Sequence, residues 1–154
     1  MSASAARMLA DRQEILDRIS DLALGLDLPD PARYRRCFAD TVEIRTPAFG
    51  PANQHLHRTG DEWSDSVGST QARLRTRLHT LTSPSIDLRG DEAEVIVLQQ
   101  ALFADAVGTY RVAGPLRLGF ACISGRWRVR ALHFEVTWSE GDAGVYSRAR
   151  EQAR

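Results

Sequence analysis

Four histidines, His55, His57, His79 and His133, are the side chains here whose ordinary pKa allows proton exchange near neutral pH. Among the carboxylates, two in the stretch "DLALGLDLPDPARY" (21–34) differ in what they can do. Asp30 precedes Pro31 and a second helical run, so it reads as a helix cap. Asp27 has no such task. It falls where an apolar-faced helix runs out, and a helix C-terminus already carries partial negative charge. A carboxylate placed there is a candidate functional group. A buried carboxylate that accepts an imidazole N–H fixes the tautomer and leaves the other ring nitrogen to take or give a proton. Such proton transfer contributes about 10²–10⁴-fold in rate.

His79 stands among Leu78, Leu81 and Ile86 in a strand-like run, which favours its burial on a central strand. In "VRALHFEV", strict alternation puts His133 and Glu135 on one face with Trp127, Val129 and Ala131. His133 is thus a candidate pocket group, while Leu132, Phe134, Val136 and Trp138 form an apolar stripe on the opposite face. Arg45, opposite Val42 and Ile44, is a further candidate substrate-binding side chain, as is Trp63. "HLHRTGDE" places His55 and His57 near Asp61 and Glu62, but His-x-His in a loop lacks the spaced third ligand of a zinc site. Its carboxylates serve a helix cap instead, so no metal is expected. No glycine-rich phosphate cradle is present either, and the expectation is no cofactor. Arg73, Arg75 and Arg77 alternate as on a solvated face, and "RGD" at 89–91 reads as a hairpin turn.

The elements that must position these groups follow from periodicity and punctuation. Met8, Leu9, Ile15, Leu16, Ile19, Leu22, Ala23 and Leu26 recur at helical spacing, with Gly25 as a terminator. Pro31 opens a short helix that turns Tyr34, Cys37 and Phe38 inward, and "TVEIRT" (41–46) alternates as a strand. Residues 47–59 read as a loop, and "TGDE" as the capping box of a helix carrying Trp63 and Val67. Strand-like runs then occupy 78–89, 93–104, 109–123 and 126–138, separated by "RGDE", "DAVG" and "SGR". Helices in the first half and an antiparallel meander in the second indicate an α+β domain, with a curved sheet around the first helix.

The length fits one domain spanning 1–154, with 1–7 and 148–154 frayed. Its 20 acidic side chains balance 20 basic ones, all arginine, as a GC-rich genome would give. That balance argues against a nucleic-acid or membrane-surface partner. Two cysteines, Cys37 and Cys122, make no disulfide framework, and no apolar run reaches membrane-spanning length. A cytoplasmic protein is expected.

The order helix–helix–strand–helix–four strands resembles the NTF2-like superfamily, cone-shaped α+β domains, and within it the SnoaL-like group and the scytalone dehydratase family. The resemblance rests on "ALGLDLPDPARYRRCFADTVEIR", "RLRTRLHTLTSPSIDLRGDEAEV" and "SGRWRVRALHFEVTWSEGD", which together cover most of 10–142. It implies an open-ended pocket for a small hydrophobic substrate, with Asp27 on the family's catalytic aspartate and His79 on the histidine it orients. It also implies that the "WSEGDAGVYSRAREQAR" tail closes the mouth, with Val145 and Tyr146 as a lid. The chain departs from the pattern elsewhere. The dehydratase's second histidine falls near Phe103–Ala104, its tyrosines on Leu26 and about Thr46, and its asparagine near Leu116.

These residues point to a cofactor-independent dehydratase, isomerase or cyclase acting on a polyketide-like substrate. Asp27 and His79 are the general acid–base pair, with Arg45, Trp63, His133 and Tyr146 binding substrate. A non-catalytic ligand-binding or dimerisation module is the alternative, because function does not follow from fold. An epoxide hydrolase, which in this superfamily uses an Asp-Arg-Asp arrangement, is the third. Asp87 and Asp105 look turn-proximal or outward, which counts against it. A broad outer sheet face needs covering, so a homo-oligomer is expected, as a dimer or, by likeness to the dehydratase, a trimer.

Overall fold

A computed structural model describes residues 2–48 and 54–154. Helix α1 (Ala3–Asp27) is capped by Ser2, whose hydroxyl accepts the Ala5 N–H. Ile15, Ile19, Leu22 and Leu26 form its buried stripe. Met8 and Leu9, expected on that stripe, are 50% and 54% exposed. Helix α2 (Pro31–Arg35) begins as its sequence dictates, with the Asp30 carboxylate accepting the Arg33 N–H. Gly25 does not end α1. A methyl group there would lie 2.7 Å from the Tyr34 backbone nitrogen, so the glycine lets α2 fold back onto α1.

Strand β1 (Phe38–Arg45) starts at once, with Phe38, Val42 and Ile44 buried. Part of the expected 47–59 loop is strand β2 (Leu56–Thr59), paired antiparallel with β1; residues 49–53 lie outside the described range. Helix α3 (Gly60–Gln71) carries the expected capping box: Thr59 Oγ1 accepts the Glu62 N–H and Glu62 accepts the Thr59 N–H. Strands β3 (Thr76–Arg89), β4 (Glu92–Ala104), β5 (Thr109–Ile123) and β6 (Arg126–Phe134) complete an open, mostly antiparallel sheet in the order β2-β1-β6-β5-β4-β3. Among the described strands, only β1 and β6 pair in parallel. The final run is not one strand. After β6 the chain bends at Glu135–Thr137, and β7 (Trp138–Gly141) pairs with the start of β5. Gly114 permits the bend, since a side chain there would strike the Glu135 carbonyl. Helix α4 (Gly144–Gln152) follows.

The core lies between α1, α2 and α3 and the concave face of the sheet, around Trp127, Phe38, Phe120 and Ile15. Register shifts bend the long strands, one between Thr82 and Ser85 of β3 and one opposite Gly119–Phe120. The second has the larger consequence. Phe120 pairs with Val129 but Gly119 pairs with Ala131, so Arg130 is the extra residue and the facing of β6 reverses there. Trp127 and Val129 point inward, and beyond the bulge so do Leu132 and Phe134.

No helix among the described residues is long and apolar enough to cross a membrane. Replacing Gly25 by alanine tests the α1–α2 contact. Alanine gains about 1 kcal/mol in helix propensity, but overpacking against fixed backbone costs about 1–3 kcal/mol. Gly25→Ala should therefore lower the thermal midpoint by a few degrees, whereas Gly68→Ala in α3, facing open space, should raise it.

Candidate active site

A cavity of about 350 Å³ opens between the concave sheet face, α1, α3 and α4. Its wall is mainly apolar, with Leu22, Leu26, Trp63, Val67, Phe103, Leu116, Leu132, Phe134 and Val136 among its residues. His79 enters this wall from β3, its side chain 7% exposed. β3 is an edge strand rather than a central one, and Leu78 is 52% exposed on its outer face. His79 is covered instead by the ends of α1 and α3.

Asp27, the last residue of α1, stands behind His79 and makes two contacts with it. Its Oδ1 lies 2.7 Å from His79 Nδ1, and its Oδ2 accepts the His79 backbone N–H at 2.8 Å. A carboxylate only accepts, so in the neutral ring Nδ1 carries the proton and Nε2 the lone pair. The Gln71 amide lies 3.3 Å from Nε2 and donates to it in that tautomer. Gln71 also hydrogen-bonds the Tyr146 hydroxyl, while its own Oε1 is buried without a partner. Phe103 packs edge-on against both the His79 ring and the Tyr146 ring, with centroids 5.5 and 5.1 Å away.

Arg77, expected on a solvated face, holds this arrangement together. Its Nε donates to the Leu26 carbonyl at 2.7 Å and its Nη1 to the Gln71 carbonyl at 3.0 Å. One guanidinium thereby caps the C-terminal ends of α1 and α3, which carry Asp27 and Gln71.

Two further candidates expected at the substrate, Trp63 and Tyr146, line the cavity. Trp63 hydrogen-bonds Tyr34, and burial pushes the Tyr34 and Tyr146 phenols well above their ordinary pKa, so both are neutral donors. Arg45 and His133 are not in the wall. Neighbours across β1 and β6, they lie on the outer face, Arg45 by alternation with the buried Val42 and Ile44, and His133 through the Arg130 bulge. Burial, then the Arg45 cation, holds His133 below its ordinary pKa, with Glu135 acting in the opposite sense. The apolar stripe on the other face of β6 and beyond supplies Leu132, Phe134 and Val136 to the cavity, and of its members Trp138 alone is exposed.

The groups of "HLHRTGDE" are engaged separately: His55 contacts Glu43 at 2.6 Å, Asp61 pairs with Arg35, and Glu62 caps α3. Cys37 donates to the Arg33 carbonyl, and burial pushes its thiol up to about 12, which makes it an inert core residue.

Gln71, Gln99, Tyr34, Tyr110 and Arg150 line the cavity without having been singled out by sequence. Some carried a signal. Trp63, Val67 and Gln71 are spaced by four along α3, and Gln99 continues the inward series Ala93, Val95, Val97 on β4. A polar residue that continues a buried stripe marks a cavity wall. An Asp-Arg-Asp arrangement also exists, but outside this wall. Arg148 of α4 donates to Asp105 at 2.7 Å and to Asp142 at 2.9 Å, fastening α4 to the β4–β5 turn.

That fastening has a pH signature. The Arg148 hydrogen bonds, then backbone N–H groups, hold both aspartates below the usual carboxylate range. Carboxylates depressed in the folded state stabilise it above their unfolded pKa, and that contribution is lost as pH falls through the folded values. The gap in urea midpoint between the natural protein and Arg148→Gln should thus be full at neutral pH and shrink below about pH 4. A gap independent of pH would show that these ion pairs do not hold α4.

Among solved structures, a Kribbella flavida protein is 16% identical over 91% of this chain and 99% of its own, with a TM-score of 0.80. A Novosphingobium aromaticivorans protein named for scytalone dehydratase is 16% identical over 88% and 90%, with a TM-score of 0.75. A hexachlorocyclohexane dehydrochlorinase, LinA-type3 of Novosphingobium barchaimii, is 20% identical over 90% and 94%, with a TM-score of 0.74. At such identities the likeness is one of fold. No curated protein sequence matches. The SnoaL-like domain family matches residues 7–133, and the chain belongs to that family, with an NTF2-like fold.

Proposed function

We propose that this chain is a small-molecule lyase or isomerase, of dehydratase or cyclase type, that works on a polyketide-like or similarly hydrophobic substrate through Asp27 and His79. The observation that supports the reading is the Asp27–His79 contact of 2.7 Å behind the wall of an apolar cavity. Two of the fold neighbours are named for eliminations, a dehydratase and a dehydrochlorinase.

In an elimination, His79 Nε2 takes a proton from the carbon next to a carbonyl. The C–H electron pair forms the new double bond while the bond to the leaving oxygen breaks. The departing hydroxyl then takes the proton from the imidazolium and leaves as water. Both transfers run through His79, so the reading calls for no cofactor. Asp27 orients the ring rather than touching substrate, because it stands off the wall. Gln71 must yield Nε2 to the substrate, and the neutral Tyr34 and Tyr146 hydroxyls are donors for its carbonyl oxygen.

A binding module of the same fold is the second reading, favoured by one observation: the carboxylate of Asp27 also satisfies an edge-strand N–H, a structural task. The oligomer expectation moves to the outer face of β3 and β4, where Leu78, Ile96 and Leu98 are exposed.

The test needs no known substrate. Proton NMR in D₂O follows exchange of the acidic protons of a bound neutral aryl ketone, α-tetralone. The protein should catalyse that exchange, and His79→Ala and Asp27→Asn should lower it by about 10²–10⁴-fold with little change in thermal midpoint. Unchanged exchange in both variants, together with loss of stability, would leave the pair a structural one.

A further inference from the structure

Arg150 is the one permanently charged side chain in the described cavity wall, which contains no carboxylate. Its Nη1 donates to the Ala48 carbonyl at 3.0 Å, but its Nε is buried without a partner. No ion pair involves Arg150 among the described residues, and the stretch 49–53 contains no acidic residue to supply one. Arg148, two residues earlier on α4, is by contrast saturated by Asp105 and Asp142. A guanidinium left in an apolar wall without a counter-ion is costly, and the cost is offset when a ligand brings the anion.

Its place relative to the base is fixed by the helix. Tyr146 and Arg150 are four residues apart on α4 and share its inward face. Tyr146 reaches Gln71, and Gln71 reaches His79 Nε2. The backbone positions of Tyr146 and Arg150 are thus about 6 Å apart along the helix axis, with Tyr146 the one that reaches Gln71 beside the base. An anion held there is an anchor, several bonds removed from the carbon that faces His79.

We propose that Arg150 is an anion subsite of the cavity, and that the ligand is a hydrophobic carboxylic acid whose apolar body fills the space between Trp63, Phe103 and Leu132. The proposal rests on the cavity identified above as the substrate site, but not on catalysis there. Arg150 binds the carboxylate through Nε and its free Nη2, a bidentate geometry that lysine does not reproduce.

The probes are 2-naphthoate and its neutral isostere 2-naphthamide, titrated by calorimetry against the natural protein and variants. Naphthoate should bind at least about tenfold more tightly than the amide, as expected of charge-assisted hydrogen bonds. Arg150→Gln should abolish that preference and leave amide binding unchanged, and Arg150→Lys should restore part of it. His79→Ala should keep the preference in full, even if the exchange reaction above is lost. Equal binding of acid and amide by the natural protein overturns the proposal. So does a preference that survives in Arg150→Gln, or one that disappears in His79→Ala, which would assign the anion to the imidazole. Thermal unfolding of each variant establishes that it is folded before titration, and Arg150→Lys carries the test where Arg150→Gln is not.

Discussion

The Asp27 carboxylate spends both of its oxygens on one residue, and much of the molecule is arranged so that it can. One oxygen satisfies an N–H on the edge of β3, which no strand among the described residues covers. The other fixes the ring that enters the cavity. A carboxylate at a helix C-terminus is electrostatically unfavourable by itself. Arg77 removes that objection, because its guanidinium draws charge from the terminal carbonyls of both α1 and α3. Helix ends, sheet edge and imidazole are therefore one hydrogen-bonded unit. Loosening any part of it moves His79 relative to Gln71.

What could be read in advance was what local chemistry decides. The Asp30–Pro31 helix start and the Thr59–Glu62 capping box involve residues three apart, and both stand as their sequences imply. The helices-then-meander order was legible for the same reason. The facing of β6 was not. Its sequence alternates equally well on either side of Arg130, and the reversal is set by a partner strand, where Gly119 and Phe120 skip one residue. That single bulge carried His133 out of the site and brought Leu132 and Phe134 into it. Arg77 was missed for a related reason: alternating arginines look solvated until two helix ends are placed over one of them.

The positions where the dehydratase pattern fails are themselves informative. Leu26, Thr46, Phe103 and Leu116, at or near the positions where the resemblance fails, all line the cavity. Hydrogen-bonding groups enter from other places: Tyr34 from α2, Gln71 from α3, Gln99 and Tyr110 from the sheet, Tyr146 from α4. The described wall thus holds one imidazole among neutral hydrogen-bonding side chains, with Arg150 its single guanidinium. On the proposed reading, the buried phenols of Tyr34 and Tyr146 would donate to a developing enolate without surrendering their protons.

Helix α4 shows how one element divides structural and recognition work. Arg148 and Arg150 are separated by two residues, about 200° around a helix, and so face opposite ways. The outward one meets two aspartates and fixes the helix to the β4–β5 turn. The inward one meets a carbonyl oxygen and an apolar space. The same side chain, in nearly the same stretch of chain, is in one place a satisfied fastening and in the other an open valence. A part-buried cation with no carboxylate partner among the described residues is most stable when the ligand supplies the negative charge.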